Sequence, residues 1–282
     1  MKFGVTIFAT DTTLDPVSLG RAAEERGFES LWLPEHSHIP VSRATPWGGS
    51  DGAPPLPEHY WRTYDSFVAL AAAAAVTDQL KLATGITLLA QRDPIWTAKE
   101  VASLDRISNG RFILGLGYGW NREEMASHGV AYADRRAILR EHLLTMKALW
   151  TQDEASFDGE HVTLEPSWAW PKPVQRPHPP VVLGGAIGPR TLADIVEFCD
   201  GWIPLGRSDL DAGTVQVRAA LAKAGRDPEA FDLTFFHAKP TEEFLAHLGS
   251  LGFHRAVFAL PQGTPAEVLA KLDELARLAA SR

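Results

Sequence analysis

The chain has one cysteine, Cys199, in 282 residues. A single thiol excludes a disulfide framework and a cysteine-ligated zinc site, and it suits a reducing cytosol. Basic charge is also short: 27 Lys and Arg stand against 35 Asp and Glu, for a formal net charge of −8. With no basic cluster to offset that balance, a nucleic-acid footprint is excluded. Long hydrophobic runs are missing too. The longest, FVALAAAAAV, stops at Thr77 and Asp78, well short of the ~20 residues that span a bilayer. The amino terminus, MKFGVTIFATD, turns polar too soon for a signal peptide. No internal repeat, low-complexity tail or linker divides the chain. At 45% hydrophobic it can bury a large core. These features describe a soluble cytosolic globule that acts on a small molecule.

Short β-branched or aromatic runs alternate with stretches of helical period. Strands are expected at 2–8, 30–34, 80–86, 111–117, 180–185, 201–205, 232–237 and 255–260. Helices are expected near 16–27, 63–77, 94–108, 134–150, 189–199, 209–225, 241–250 and 265–280. Thr264-Pro265-Ala266-Glu267 opens the last helix with a capping box and a proline where its missing N–H costs least. Continuous apolar strands separated by amphipathic helices mean a parallel sheet covered by helices. Eight such units in this length predict a single (β/α)8 barrel domain over residues 1–282.

Two segments break the rhythm. Residues 36–62 are rich in Pro, Gly and aromatics, and residues 151–180 contain SFDGEHVTL, which reads as a hairpin around Asp158-Gly159. Loops of this length usually work as lids or binding loops. One therefore follows the second strand and the other precedes the fifth. The second reaches the catalytic face only if the hairpin folds back over the barrel mouth. Such loops also pack dimers, and a homodimer is the expected assembly.

The polar residues cluster at strand ends. LWLPEHSHIP (31–40) places Glu35, His36 and His38 where an apolar strand runs out. His-x-His suits a divalent metal, but a barrel metal site needs further ligands at other strand ends. LGLGYGW, LGGAIGP, WIPLGR and VFALPQ supply none, and only His237 remains. Glu35 and His36 are therefore expected to face a bound ligand, without a metal. GLGYGWN (115–121) has Trp120 where the dinucleotide fingerprint requires glycine, so the Rossmann reading fails. A glycine-lined strand end beside an aromatic still suits a flat ring lying close to the backbone. LGGAIGPRT (183–191) runs from strand to glycines to a helix start at Gly188-Pro189-Arg190-Thr191, where free amides, the helix dipole and Arg190 suit a phosphate. It falls in the fifth unit, whereas the usual barrel phosphate site lies in the seventh or eighth. Gly85, inside LATGITLLAQRDP (82–94), marks a bulge or a close backbone approach.

Together ERGFESLWLPEH, TGITLLAQRDPIWTAKEVASLDRISNGRFILGLGYGWNREEM and PVVLGGAIGPRTLADIVEFCDGWIP resemble the luciferase-like monooxygenase superfamily, and within it the coenzyme F420 (deazaflavin)-dependent oxidoreductases of actinobacteria. The likeness runs from residue 1 to about 205, and it rests on the order and spacing of the segments. It implies a (β/α)8 barrel with a flavin-type ring at the carboxyl-terminal mouth and a non-proline cis peptide at Gly85–Ile86 behind the ring. It also implies Glu35 and His36 as the acid–base pair at the ring edge. Gly117, Tyr118 and Trp120 would line the ring or its tail, and Gly184, Gly185, Gly188, Arg190 and Thr191 the phosphate. Some deazaflavin dehydrogenases carry glutamate at the place of Trp120, so sugar-phosphate chemistry does not carry over. The leading expectation is hydride transfer between coenzyme F420 and an organic substrate. The alternatives are an FMN-dependent monooxygenase, a non-catalytic cofactor-binding protein and a metal hydrolase.

Overall fold

The runs read as strands pair edge to edge until the last meets the first. A computed structural model describes residues 1–205 and 209–280; Gly206-Arg207, read above as part of a strand end, lies outside them. The strands are β1 (Lys2–Thr6), β2 (Ser30–Leu33), β3 (Lys81–Thr84), β4 (Phe112–Gly117), β5 (Ala155–Asp158), β6 (Thr163–Ser167), β7 (Val181–Gly185), β8 (Gly201–Pro204), β9 (Asp232–Phe236) and β10 (Arg255–Ala259). The helices are α1 (Pro16–Glu25), α2 (His59–Arg62), α3 (Ser66–Ala74), α4 (Pro94–Ile107), α5 (Arg122–Ser127), α6 (Arg135–Thr151), α7 (Pro189–Phe198), α8 (Leu210–Lys223), α9 (Glu242–Ser250) and α10 (Pro265–Ala280). Eight strands, all paired in parallel, close in the order β1-β10-β9-β8-β7-β4-β3-β2, giving the expected (β/α)8 barrel.

The strands carry two apolar faces, which is why they read as continuous hydrophobic runs. Inside the barrel Trp32, Ala83, Ile113, Val182, Ile203 and Val257 form a plug, with Ile86 and Phe236 packed on its upper side. Residues such as Leu31, Leu33, Leu82, Phe112, Leu114 and Leu183 face outward into a larger cluster shared with the helices. The capping box at α10 is present: Thr264 N donates to Glu267 Oε2 (2.7 Å) and Glu267 N to Thr264 Oγ1 (3.4 Å). Helices α2 and α5 escaped the sequence reading because four and six residues are too few to show a period.

Strand β3 stops two residues before its apolar run does. Ala83 pairs with Ile113, and the next pairing joins Thr87 to Leu116. Four steps on one side thus face three on the other, and the extra residue is taken up at Gly85–Ile86, a cis peptide bond. This is the bulge that Gly85 suggested.

The segment 151–180 does not cover the mouth, contrary to the expected second lid. Its hairpin is real, with Asp158 paired to Thr163 and Gly159 N donating to Val162 O. Its turn lies against α6, where the Glu141 carboxylate accepts from the amides of Glu160, His161 and Val162. Beyond it, Lys172 Nζ donates to Leu149 O and Gln152 O at the end of α6, and Asp105 near the end of α4 accepts from Val174 N and Gln175 N. Helices run back toward the amino ends of the strands, so the ties at Lys172, Val174 and Gln175 pin that part of the segment at the opposite pole, while the hairpin turn lies against the first half of α6. The loop 36–62 does reach the mouth, where Trp47, His59 and Tyr60 line a cavity.

Candidate active site

The carboxyl ends of β2, β3, β4, β7 and β8 surround a mouth with two lobes. The smaller, of about 370 Å³, is lined by Glu35, His36, Gly85, Ile86, Gly117, Tyr118, Trp120, Gly184 and Gly185 among others. The larger, of about 670 Å³, shares Phe8, Pro34, Tyr60, Gly85, Ile86 and Leu205 with it and extends over the ends of β9 and β10. Gly188, Arg190 and Thr191 line an adjoining cleft that meets the smaller lobe at Ala186. Residues widely separated in sequence thus come together at one end of the barrel.

At the end of β2 the chain sends successive side chains to different places. Glu35 turns aside: its Oε1 accepts from Arg92 Nε at 2.5 Å and its Oε2 from Leu88 N at 3.1 Å. Burial raises its pKa above the ordinary carboxyl value, and the Arg92 charge and these hydrogen bonds pull the other way. Glu35 therefore braces the turn after β3. The expected pairing of Glu35 with His36 is not what the chain forms.

The carboxylate that holds His36 is Glu124, with Oε2 2.8 Å from His36 Nδ1 and Oε1 accepting from Ser37 N at 3.1 Å. The two side chains are 6% and 0% exposed, so water does not compete for this contact. A carboxylate only accepts, so the proton of this bond sits on Nδ1, and Nε2 makes no hydrogen bond among the described residues. The His36 ring lies 5.1 Å from Tyr60 and 5.9 Å from Trp120, and both line the smaller lobe with it. His38 turns outward, sharing the Ser37 hydroxyl with His128. Among the described residues no three His, Cys, Asp or Glu side chains are placed to hold a metal ion.

Glutamate 124 was legible only in part. Asn121 caps α5 through Glu124 N, so N-R-E-E reads as an ordinary helix start in which the acidic residue serves the cap. Its side chain instead reaches 88 positions back in the chain to His36.

The opposite wall is built of glycines for close approach. A Cβ on Gly117 would overlap the Ile86 side chain, and one on Gly85 would sit 2.8 Å from the Phe236 ring. Beside them Tyr118 donates its hydroxyl to Asp194 on α7, and burial and that carboxylate raise its pKa far above 10. It is a neutral phenol at any working pH.

At the start of α7, Gly188 provides no side-chain cap, so the first amides lack one partner that most helices supply. Arg190 is exposed and points no hydrogen bond into the cleft. The cations that do converge come from α6, which sequence reasoning missed. Arg136 Nη2 donates to Thr191 Oγ1 at 2.9 Å, its guanidinium covers the Tyr118 ring at 3.8 Å, and its buried Nη1 makes no hydrogen bond but lies 3.6 Å from Asp194 Oδ2. Arg135 beside it lies over Tyr132 at 3.6 Å and leaves Nε without an acceptor. Two arginines opening a helix look like solvated surface in sequence, and only the packing of α6 on α7 brings them to Thr191.

Comparison with known proteins places this geometry. A protein of Mycobacterium tuberculosis described as uncharacterized is 42% identical over 281 residues, covering 98% of each chain. The F420-dependent hydroxymycolic acid dehydrogenase of the same organism is 30% identical over 75% of this chain and 55% of its own. An FMNH2-dependent dimethylsulfone monooxygenase of Pseudomonas putida is 28% identical over 64% of this chain and 50% of its own. Among solved structures, the monooxygenase RslO1 of Streptomyces bottropensis superposes with a TM-score of 0.80 at 21% identity, covering 100% of this chain and 99% of that one. The sequence profile of the family described as luciferase-like monooxygenase matches residues 1–240. The chain belongs to the luciferase-like monooxygenase family.

Proposed function

We propose that this protein is an oxidoreductase that holds coenzyme F420 in the smaller lobe and moves a hydride between it and an organic substrate. The observation that carries the reading is a glycine-walled slot that ends on an anion cradle. A Cβ at Gly117 or Gly184 would crowd the Ile86 side chain, so these glycines let Ile86 lie close against the strand ends, and the lobe is walled by Ile86 and glycine backbone, which suits a flat ring. The slot leads toward the α7 start, where the buried Arg135 Nε lacks an acceptor and Arg136, whose Nη1 lies 3.6 Å from Asp194 Oδ2, donates to Thr191 Oγ1. Buried donors are normally satisfied, and a phosphate is the acceptor that a helix start and two arginines suit.

When bound, the deazaflavin supplies a ring carbon that accepts or releases hydride. The residues of this chain do the rest. His36 offers a free Nε2 to a substrate oxygen or its proton, and Glu124 fixes both its tautomer and its orientation. Trp120 and Tyr60 close around the imidazole and keep water from it. The loop 36–62 is the lid, tied to α5 where Glu123 Oε1 accepts from Ala44 N and Thr45 N.

The mycobacterial dehydrogenase is described as F420-dependent, which supports the deazaflavin. The Pseudomonas relative is described as FMNH2-dependent, and it favours the second reading, an FMN-dependent monooxygenase. Titrating the protein with each cofactor, followed by fluorescence, discriminates between them. Tighter binding of coenzyme F420, and no oxygen uptake with reduced FMN, is the expected result. Equal or reversed affinities select the monooxygenase, and failure to bind either cofactor sinks both.

A further inference from the structure

The larger lobe shares no lining residue with the cleft at the start of α7 and is not lined by His36, and its chemistry differs from that of the smaller one. Among the described residues that line it there is no Lys, Arg, Asp or Glu. Phe8, Trp47, Phe235, Phe236, Phe244 and Leu260 make its walls predominantly apolar and aromatic. At about 670 Å³ it is large enough for a compound of several fused rings.

Six polar side chains reach the lobe: Thr6, Trp47, His59, Tyr60, His237 and Gln262. The Gln262 amide, with its NH2 turned toward the Phe8 carbonyl, is used on the Phe8 backbone at 3.0 and 3.1 Å. His59 lies between the rings of Phe8 (4.6 Å) and Tyr60 (5.0 Å) on the lid loop, and Tyr60 also borders His36. His237 is placed differently. It stands at the end of β9 with φ of 56°, a left-handed backbone unusual outside glycine. Among the described residues its one ring–ring contact is with Phe236, at 6.4 Å, and its side chain makes no hydrogen bond. The Phe236 ring in turn lies where a Cβ on Gly85 would be. His237 therefore presents an unpartnered imidazole one residue beyond the aromatic that adjoins the Gly85–Ile86 peptide. The crowded mouth lowers the pKa of both His237 and His59 below the ordinary 6.5, so neither adds a charge at neutral pH.

We propose that this lobe is the substrate chamber, that it takes an uncharged, mainly hydrophobic ring compound, and that His237 is the specificity-determining residue that hydrogen-bonds that compound's single polar oxygen. The physical reasons are the two halves of desolvation. An anion entering this lobe loses its hydration and finds no cation among the described lining residues. A neutral carbonyl or hydroxyl loses less and regains one hydrogen bond at His237. The inference rests on the cofactor reading only in naming this occupant the substrate; the selectivity of the lobe stands without it.

Three probes of one shape test the chamber by equilibrium dialysis against the full chain: 2-acetylnaphthalene, 2-ethylnaphthalene and 2-naphthoate. The ketone should bind at least about tenfold more tightly than the carboxylate, which pays the larger desolvation penalty. It should exceed the ethyl compound by about 2- to 10-fold, the range of one neutral hydrogen bond. His237→Ala should bring the ketone-to-ethyl ratio close to one, while His237→Gln retains part of it. Ala259→Phe, which fills the lobe from the exposed end of β10, should weaken all three probes and leave cofactor titrations unchanged. Carboxylate binding as tight as ketone binding, a ketone preference that survives His237→Ala, or full probe affinity in Ala259→Phe would each overturn the proposal. Probe selectivity as stated, in a protein that binds neither coenzyme F420 nor FMN, would sink the function proposed above and leave the chamber intact.

Discussion

Glu124 and His36 share a hydrogen bond at 2.8 Å in a place where both side chains are buried. Removing one leaves the other buried and unpaired, and such pairs are coupled, not additive. In the reaction proposed above, His36→Ala should lower turnover by about 10²–10⁴-fold, the usual span of general acid–base catalysis. Glu124→Gln keeps an acceptor for Ser37 N but not the negative partner of the imidazole, and should lower turnover by a smaller factor. The double variant should be little worse than His36→Ala alone. Steady-state rates of the four proteins decide this: factors that multiply would mean that Glu124 acts independently of His36. His38 serves as control, since its ring meets Ser37 and His128 outside the mouth.

At the scale of elements, the cleft proposed to take the cofactor phosphate is lined by α6 as much as by α7. The sequence pointed to Arg190, and packing turns Arg136 toward the Thr191 hydroxyl and the Asp194 carboxylate of α7 while Arg190 stays exposed. Charge-assisted hydrogen bonds contribute about 1.5–3 kcal/mol, so Arg136→Ala should weaken binding of the phosphorylated cofactor by that amount. Arg190→Ala should cost clearly less, because an exposed cation is screened by solvent and salt. Isothermal titration of both variants at matched ionic strength checks the order, and a larger loss at Arg190 would move the phosphate outward along α7. The same packing explains what was illegible. Arg135 and Arg136 open a helix in sequence, and nothing local says that Thr191 lies across from them.

At the scale of the whole molecule, one charged network closes the barrel at the pole opposite the mouth. Arg255 on β10 donates to Glu29, just before β2, and to Asp232 on β9, and Lys81 at the start of β3 lies 3.2 Å from Glu29. Burial alone would raise the Glu29 pKa, but the Arg255 hydrogen bonds and charge, with Lys81, bring it down from 4.5 to about 2. A depressed folded-state pKa means that the unfolded chain binds the proton more readily. The contribution is therefore fully present above about pH 4.5 and is lost as pH falls toward 2. Its upper bound is about 3 kcal/mol at 1.36 kcal/mol per unit. Urea unfolding of the wild type should lose stability over that interval, and Glu29→Gln should be less stable at pH 7 with a flatter profile between pH 4.5 and 2. Parallel profiles for the two proteins would remove Glu29 from the account.

What the sequence by itself determined is whatever depends on neighbours in the chain: eight apolar runs with helices between them, the α10 cap, the hairpin at 158–163, the bulge at Gly85 and the glycines of the mouth. Period and turn chemistry are local, and a closed parallel barrel is the architecture that satisfies eight such units. The tertiary structure alone decided the partnerships. Glu35 and His36 are adjacent in sequence, yet one is bound to Arg92 and the other to Glu124. The segment 151–180 is as long as a lid, yet it is tied to the ends of α4 and α6 at the opposite pole from the mouth. His237 was a lone imidazole at a strand end until Phe236 and a left-handed backbone put it in the larger lobe. Each of these depends on which side chain meets which across tens of residues, and such contacts are set by the closure of the barrel and carry no local signal in the chain.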